Sequence, residues 1–183
     1  KRLGPATELM AVVKSFAYGN DATRVSQTLV REGVDALAVA YPDEAIPLRL
    51  RGINVPILVT NALAGEADKI VKYDLIAQVY SKGVVSALSS EAGKRAARVQ
   101  IHLEVDTGMN RVGLRPDEVS DFAAWAADVP NIDITGAMTH FAVADEEARD
   151  DVTLGQIAAF EHVLRDLEEL DIELETVHAA NTA

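Results

Sequence analysis

Apolar residues recur along the chain in short blocks separated by longer amphipathic stretches. Seven blocks read as strands: Leu9–Lys14, Ala36–Ala40, Pro56–Val59, Ile76–Tyr80, Val99–Asp106, Ile132–His140 and Glu175–Ala180. Most are aliphatic on both faces, as parallel strands covered by helices should be. Helical patterns fill the gaps. Asp21–Glu32 stops before Gly33, and Asp43–Arg51 follows Tyr41-Pro42 and stops before Gly52. Pro116–Ala127 starts with Pro at an early helical position and acids in its first turn. Val152–Leu170 sets Ile157, Phe160, Leu164 and Leu167 on one stripe. Fainter periodicity marks two more helices, about Glu66–Tyr73 and Val84–Lys94.

This alternation predicts βα units joined by right-handed crossovers, hence an α/β fold. An open doubly wound sheet and a closed (β/α)8 TIM-type barrel are the two outcomes, and period alone does not choose between them. Seven strands is one short of a closed barrel, and 183 residues is below the usual barrel length. We expect one domain, residues 1–183, cut at both ends from a longer polypeptide.

Composition narrows the partners. Net charge is −12, from 29 acidic against 17 basic residues. With no basic stripe, nucleic acid is not an expected partner. The absence of cysteine removes disulfides and thiolate metal sites. No apolar run approaches the ~20 residues of a membrane span, and no signal-peptide pattern opens the chain, so a cytoplasmic location is expected.

Candidate chemistry gathers at the C-terminal ends of the strands, where βα folds build sites. Lys14 closes a strand of apolar residues. A desolvated lysine there loses its proton more readily, which suits Schiff-base chemistry, although on position alone a snorkelling lysine is the commoner case. In Ile101–Arg111 (IHLEVDTGMNR), strand alternation turns His102, Glu104 and Asp106 away from Ile101, Leu103 and Val105. The polar set then points either into a barrel, as a network, or to solvent on an edge strand. Arg111 follows in the loop and offers a fork for a carboxylate or phosphate. His140 ends the sixth strand and His178 lies in the seventh. They resemble a metal pair, but no third ligand has convincing spacing, so no metal is expected. His162, in the long helix, reads as a surface residue. No G-x-G-x-x-G, P-loop or G-x-S-x-G motif occurs.

Taken together, Met10–Asn20 (MAVVKSFAYGN), His102–Leu114 (HLEVDTGMNRVGL), Met138–Glu146 (MTHFAVADE) and Val177–Ala183 (VHAANTA) resemble, in order, the motifs of the alanine racemase family. The resemblance implies a (β/α)8 barrel with pyridoxal 5′-phosphate (PLP) at its C-terminal mouth, incomplete here with seven of eight strands. It implies that Lys14 carries the cofactor and serves as one catalytic base, and that Tyr18 bonds the cofactor phosphate. Arg111 would donate toward the pyridoxal oxygen and place the substrate carboxylate, and His140 would lie at the ring. Asn181 and Thr182 would lie beside the cofactor, the threonine on its phosphate. The family usually has Ser where Thr182 stands, often Ala-Asn for Ser15-Phe16, and often His-Gly for Asn20-Asp21. Many members carry a carbamylated lysine at the position of Glu104. A carboxylate encoded there is expected to supply the anion that fixes Arg111.

The implied function is interconversion of L- and D-alanine by two bases, for peptidoglycan precursor supply, in a homodimer. The family's second base is a tyrosine of a C-terminal β-domain. That domain is absent here, so this segment alone is expected to be inactive. The alternatives are a racemase for serine or basic amino acids, a racemase fused to a cell-wall ligase, a non-catalytic PLP-binding barrel in cofactor homeostasis, and an unrelated phosphate-binding barrel.

Overall fold

The computed structural model describes Gly4 and residues 7–179. Seven parallel strands form one sheet in chain order: β1 (Met10–Val12), β2 (Ala36–Val39), β3 (Ile57–Val59), β4 (Ile76–Val79), β5 (Val99–Val105), β6 (Ile132–Thr139) and β7 (Thr176–Ala179). A doubly wound sheet needs a reversal of strand order, and there is none. The sheet curls into a half-barrel, the (β/α)8 type with seven of its eight strands. Helices α1 (Ala22–Arg31), α2 (Pro42–Leu50), α3 (Ala67–Lys72), α4 (Lys82–Lys94), α5 (Pro116–Ala127) and α6 (Asp150–Glu169) make the crossovers.

The apolar core lies between sheet and helices. Leu37, Val39, Ile57, Val59, Ile101 and Leu103 meet Ile70, Leu88, Val119 and Leu167, all buried. Each such side chain contributes about 1.5–3 kcal/mol of transfer free energy. The other face of the strands turns inward, and there Gln78, His102 and Glu104 break the apolar pattern.

Local chemistry sets the helix ends. Asp21 Oδ1 accepts from the Arg24 N–H at 3.1 Å, capping α1. Pro116 opens α5, and Glu118 accepts from the Arg115 N–H at 3.0 Å. At the opposite end of the barrel from the candidate site, the Arg49 guanidinium donates to four carbonyls, those of Ile53, Val55, Tyr73 and Asp74. These bonds fasten the end of α2 to the chain entering β3 and β4.

Three expectations need correction. β1 stops at Val12; Val13 donates a last ladder bond to Ala38 O at 2.8 Å, and Lys14 then leads into a turn. Ser15, Phe16, Ala17 and Tyr18 all have φ between 50° and 58°, a left-handed helical turn of non-glycine residues. The buried stripe of α6 is Gln156, Phe160, Val163 and Leu167, one step out of phase with the stripe predicted from Ile157 and Leu164. Packing against α5 and the core cluster sets that phase. Finally, His140 lies just beyond β6, which ends at Thr139.

Candidate functional site

All strands run parallel, so their C-terminal ends open on one mouth, and the strand-end segments carrying Lys14, Arg111 and His140 meet there. The left-handed turn after Lys14 is held from outside. The Glu44 carboxylate accepts from the Ser15 N–H at 2.7 Å, from Ala40 N–H at 2.7 Å and from Tyr41 N–H at 3.3 Å. One acid of α2 thus fastens the lysine turn to the end of β2. Within the turn, Ala17 N donates to Val13 O at 3.0 Å, and Asn20 Nδ2 donates to Ala17 O at 2.9 Å. Left-handed backbone costs L residues about 1–2 kcal/mol each, and such strain concentrates at functional sites.

Arg111 sits on a loop that is tightly built. Asp106 Oδ1 accepts from Gly108 N–H at 3.0 Å and Asn110 N–H at 2.9 Å. The loop then folds back on its own strand, with Leu114 N donating to Glu104 O and Asp106 N donating to Leu114 O, each at 2.8 Å. Gly113 makes this return possible. Its φ is +122°, and a Cβ there would lie 2.8 Å from the Asp106 nitrogen. The Arg111 side chain stays exposed.

Electrostatics ties the three groups together. The His140 imidazole is held below its usual value, first by burial, then by the positive charges of Arg111 and Lys14. Beneath them, Glu104 is 3% exposed. Burial raises its carboxyl above the usual range, against a donor from Gln78 and the positive charge of Arg111, while Asp106 adds to the rise. Glu104 Oε2 and Gln78 Oε1 are both buried without a hydrogen-bond partner. Arg111 and Glu104 form no ion pair in this structure; they interact through space.

His102, 2% exposed, does not line the mouth. Its Nδ1 lies 2.9 Å from His178 Nε2, joining β5 to β7 across β6. Both rings are kept neutral. Burial and then His178 push His102 down to about 3, and burial pushes His178 to about 4. The two rings share one hydrogen bond, so one nitrogen carries the proton and the other accepts. The pairing needs space that a register shift supplies. Ile101 pairs with Ile134, but His102 pairs with Gly136, so Thr135 bulges and a residue without Cβ faces the ring.

The structure therefore brings Lys14, Arg111 and His140 together, with Glu104 beneath. Tyr18, 63% exposed, closes the lysine turn and has no hydrogen bond among the described residues. His178 pairs with His102, not with His140. No group of three or more potential metal ligands occurs among the described residues. Asn181 and Thr182 lie outside the described residues. His162 is at the surface, 3.6 Å from Asp166.

Sequence reasoning missed Glu44, Gln78 and Gln156. Gln156 had a visible signal, a polar residue four before Phe160 on the stripe that α6 buries. Glu44 had a fainter one, an acid in the first turn of its helix, which ordinarily reads as a cap alone.

Comparison with known proteins places the chain. The model of the family described as alanine racemase, N-terminal domain, matches residues 1–183. An alanine racemase of Halothermothrix orenii is 40% identical over 182 residues, 99% of this chain and 48% of that protein. The structure of an alanine racemase of Clostridium difficile in complex with cycloserine superposes with a TM-score of 0.91 at 30% identity, covering 98% of this chain and 50% of that one. A histidine racemase from Leuconostoc mesenteroides gives a TM-score of 0.86 at 25% identity, over 96% of this chain and 46% of that one. The chain thus spans about half the length of the relatives it matches. It belongs to the alanine racemase family and corresponds to that family's N-terminal domain.

Proposed function

We propose that this chain is the cofactor-anchoring barrel of a PLP-dependent amino-acid racemase that interconverts L- and D-alanine. The observation that carries the reading is the convergence of Lys14, Arg111 and His140, mutually coupled, at the barrel mouth of a chain with net charge −12. A cationic mouth on an acidic protein fits an anionic cofactor and a carboxylate substrate. The residues fit PLP: a half-buried lysine on a tethered turn, a forked cation, and an imidazole held neutral within the field of both.

Lys14 would hold the cofactor, with Tyr18 and Thr182 on its phosphate and Asn181 beside it. When bound, PLP supplies an electron sink conjugated to the substrate α-carbon, which acidifies its proton. Lys14 Nζ takes or returns a proton at that carbon from one face. Arg111 would bind the substrate carboxylate and donate toward the pyridoxal oxygen, while His140, held neutral, would orient the ring side. Glu104 would be the supporting anion: its unpartnered Oε2 is buried within the field of Arg111. The second base comes from outside this chain, from a C-terminal domain of the partner subunit in a homodimer. The enzyme works in the cytoplasm and supplies D-alanine for peptidoglycan precursors. A racemase for another amino acid, serine or a basic one, is the second reading, and the likeness to a histidine racemase favours keeping it.

The test uses the full-length polypeptide. It should show the visible absorbance of a lysine-bound cofactor, and borohydride should fix the label on Lys14. In deuterated water it should exchange the α-proton of alanine faster than that of serine, lysine or histidine. A Lys14→Ala variant that kept the band would sink the reading. Faster exchange with another amino acid would transfer it to the second reading.

A further inference from the structure

Gln156 is 2% exposed on the buried stripe of α6, between apolar neighbours. A buried amide costs free energy unless each polar atom is satisfied, and here each is. Oε1 accepts from the Ala142 N–H at 2.9 Å. Nε2 donates to the His140 carbonyl at 3.1 Å and to Thr107 Oγ1 at 3.1 Å. The Ala142 N–H fixes the amide orientation, because only an oxygen can accept there. Thr139 Oγ1 donates to Val105 O at 2.8 Å, so the Thr107 hydroxyl donates to Thr139 across 2.7 Å. That leaves the Thr107 oxygen to accept from Gln156. Each proton of the chain from Gln156 through Thr107 and Thr139 to Val105 has one direction.

The gripped groups belong to two segments. Thr107 opens the loop that carries Arg111, and Gly108 beside it packs on Gln156, where an added Cβ would stand 3.5 Å from Cγ. His140 and Ala142 are the first residues beyond β6. We propose that Gln156 is a positioning residue: its amide locks the Arg111 loop to the His140 segment, fixing the spacing of the two groups that flank the cofactor. This rests on the function proposed above for Arg111 and His140. An apolar residue of the same size would bury equally well but would leave the Ala142 N–H and His140 carbonyl without partners.

Three variants of the full-length polypeptide test it. Gln156→Met removes both donor and acceptor. Gln156→Glu keeps the acceptor for Ala142 but sets a carboxylate oxygen against the His140 carbonyl. Leu164→Ala weakens the same helix away from the loops. In the cofactor-free protein, hydrogen exchange at the Ala142 amide should quicken in Gln156→Met and stay slow in Gln156→Glu, with the 106–114 loop faster in both. In the loaded protein, both Gln156 variants should keep the lysine-bound absorbance and lose kcat by about 10- to 100-fold. Leu164→Ala should melt lower and keep kcat within about twofold. Wild-type exchange and kcat in Gln156→Met would overturn the proposal. An equal loss of kcat in Leu164→Ala would also overturn it, since the effect would then be general destabilisation. If the unmodified protein held no lysine-bound cofactor, the proposed function would fall, while the exchange pattern would still decide whether Gln156 locks the two segments.

Discussion

Replacing Gly136 with alanine probes the inner face of the barrel most directly. A Cβ at Gly136 would stand 2.6 Å from Cδ2 and Nε2 of His102 and 2.7 Å from its Cγ. Those separations are far inside contact distance, and His102 has little room to retreat. It is 2% exposed and bonded through Nδ1 to His178. Either the strand shifts or the ring turns. Overpacking of this kind costs about 1–3 kcal/mol. Turning the ring breaks the bond to His178 and orphans a buried nitrogen, adding about 1–3 kcal/mol. The expected loss is therefore about 1–3 kcal/mol if the strand shifts and about 2–6 kcal/mol if the ring turns, read as a lower urea midpoint of the full-length polypeptide with little change of slope. The companion Gly136→Ala/His102→Ala variant removes the obstructing ring. It should be less destabilised than the sum of the two single variants, with a coupling of about 1–3 kcal/mol. A Gly136→Ala midpoint equal to wild type, or strictly additive variants, would refute the reasoning.

Three further outcomes are expected. Because the folded protein keeps His102 and His178 neutral down to about 3 and about 4, while the unfolded chain protonates near 6.5, the unfolded state binds more protons below pH 6.5. Stability therefore falls with pH in that window by up to about 1.4 kcal/mol per pH unit for each histidine, and a His102→Asn variant should flatten the profile of urea midpoint against pH. Arg49→Lys replaces a fork serving four carbonyls with one compact ammonium; it should cost about 2–3 kcal/mol by urea unfolding, and an unchanged midpoint would count against the fastening role. Glu44→Gln turns an NH2 group toward one of three backbone donors; it should cost about 1–3 kcal/mol and speed hydrogen exchange at Ser15 and Ala40, and slow exchange at both would contradict it.

Much of this molecule is legible in the chain because a parallel sheet writes a plain signature. Aliphatic blocks such as Ala36–Val39 and Ile57–Val59 have no polar face to offer, and in β5 a polar alternation marks where His102 and Glu104 turn inward. What resists reading is long-range. No local rule announces that four non-glycine residues after Lys14 adopt left-handed backbone, because the support comes from Glu44, 29 residues away. The His102–His178 bond spans 76 residues and depends on the bulge at Thr135, which decides that a glycine faces the ring. The phase of α6 belongs to the same class. Periodicity finds an amphipathic helix, but contact with α5 and the core selects which of two adjacent stripes is buried.

The polar residues of the barrel mouth divide by what they bond. Glu44, Asp106 and Gln156 each spend side-chain atoms on backbone groups of a strand-end segment. Lys14, Tyr18 and Arg111 lie on those same segments, and their side chains make no hydrogen bond with the described residues. A fold selected only for stability would have no reason to hold a left-handed turn at several kcal/mol of strain in order to present an unpaired lysine. It would equally have no reason to bury a glutamine in an apolar stripe to steady a loop whose arginine side chain bonds none of the described residues. The strained and desolvated positions therefore support, and the free ones act. Rigid backbone beneath unpaired side chains is the arrangement that lets binding of an anion proceed without first breaking bonds inside the protein.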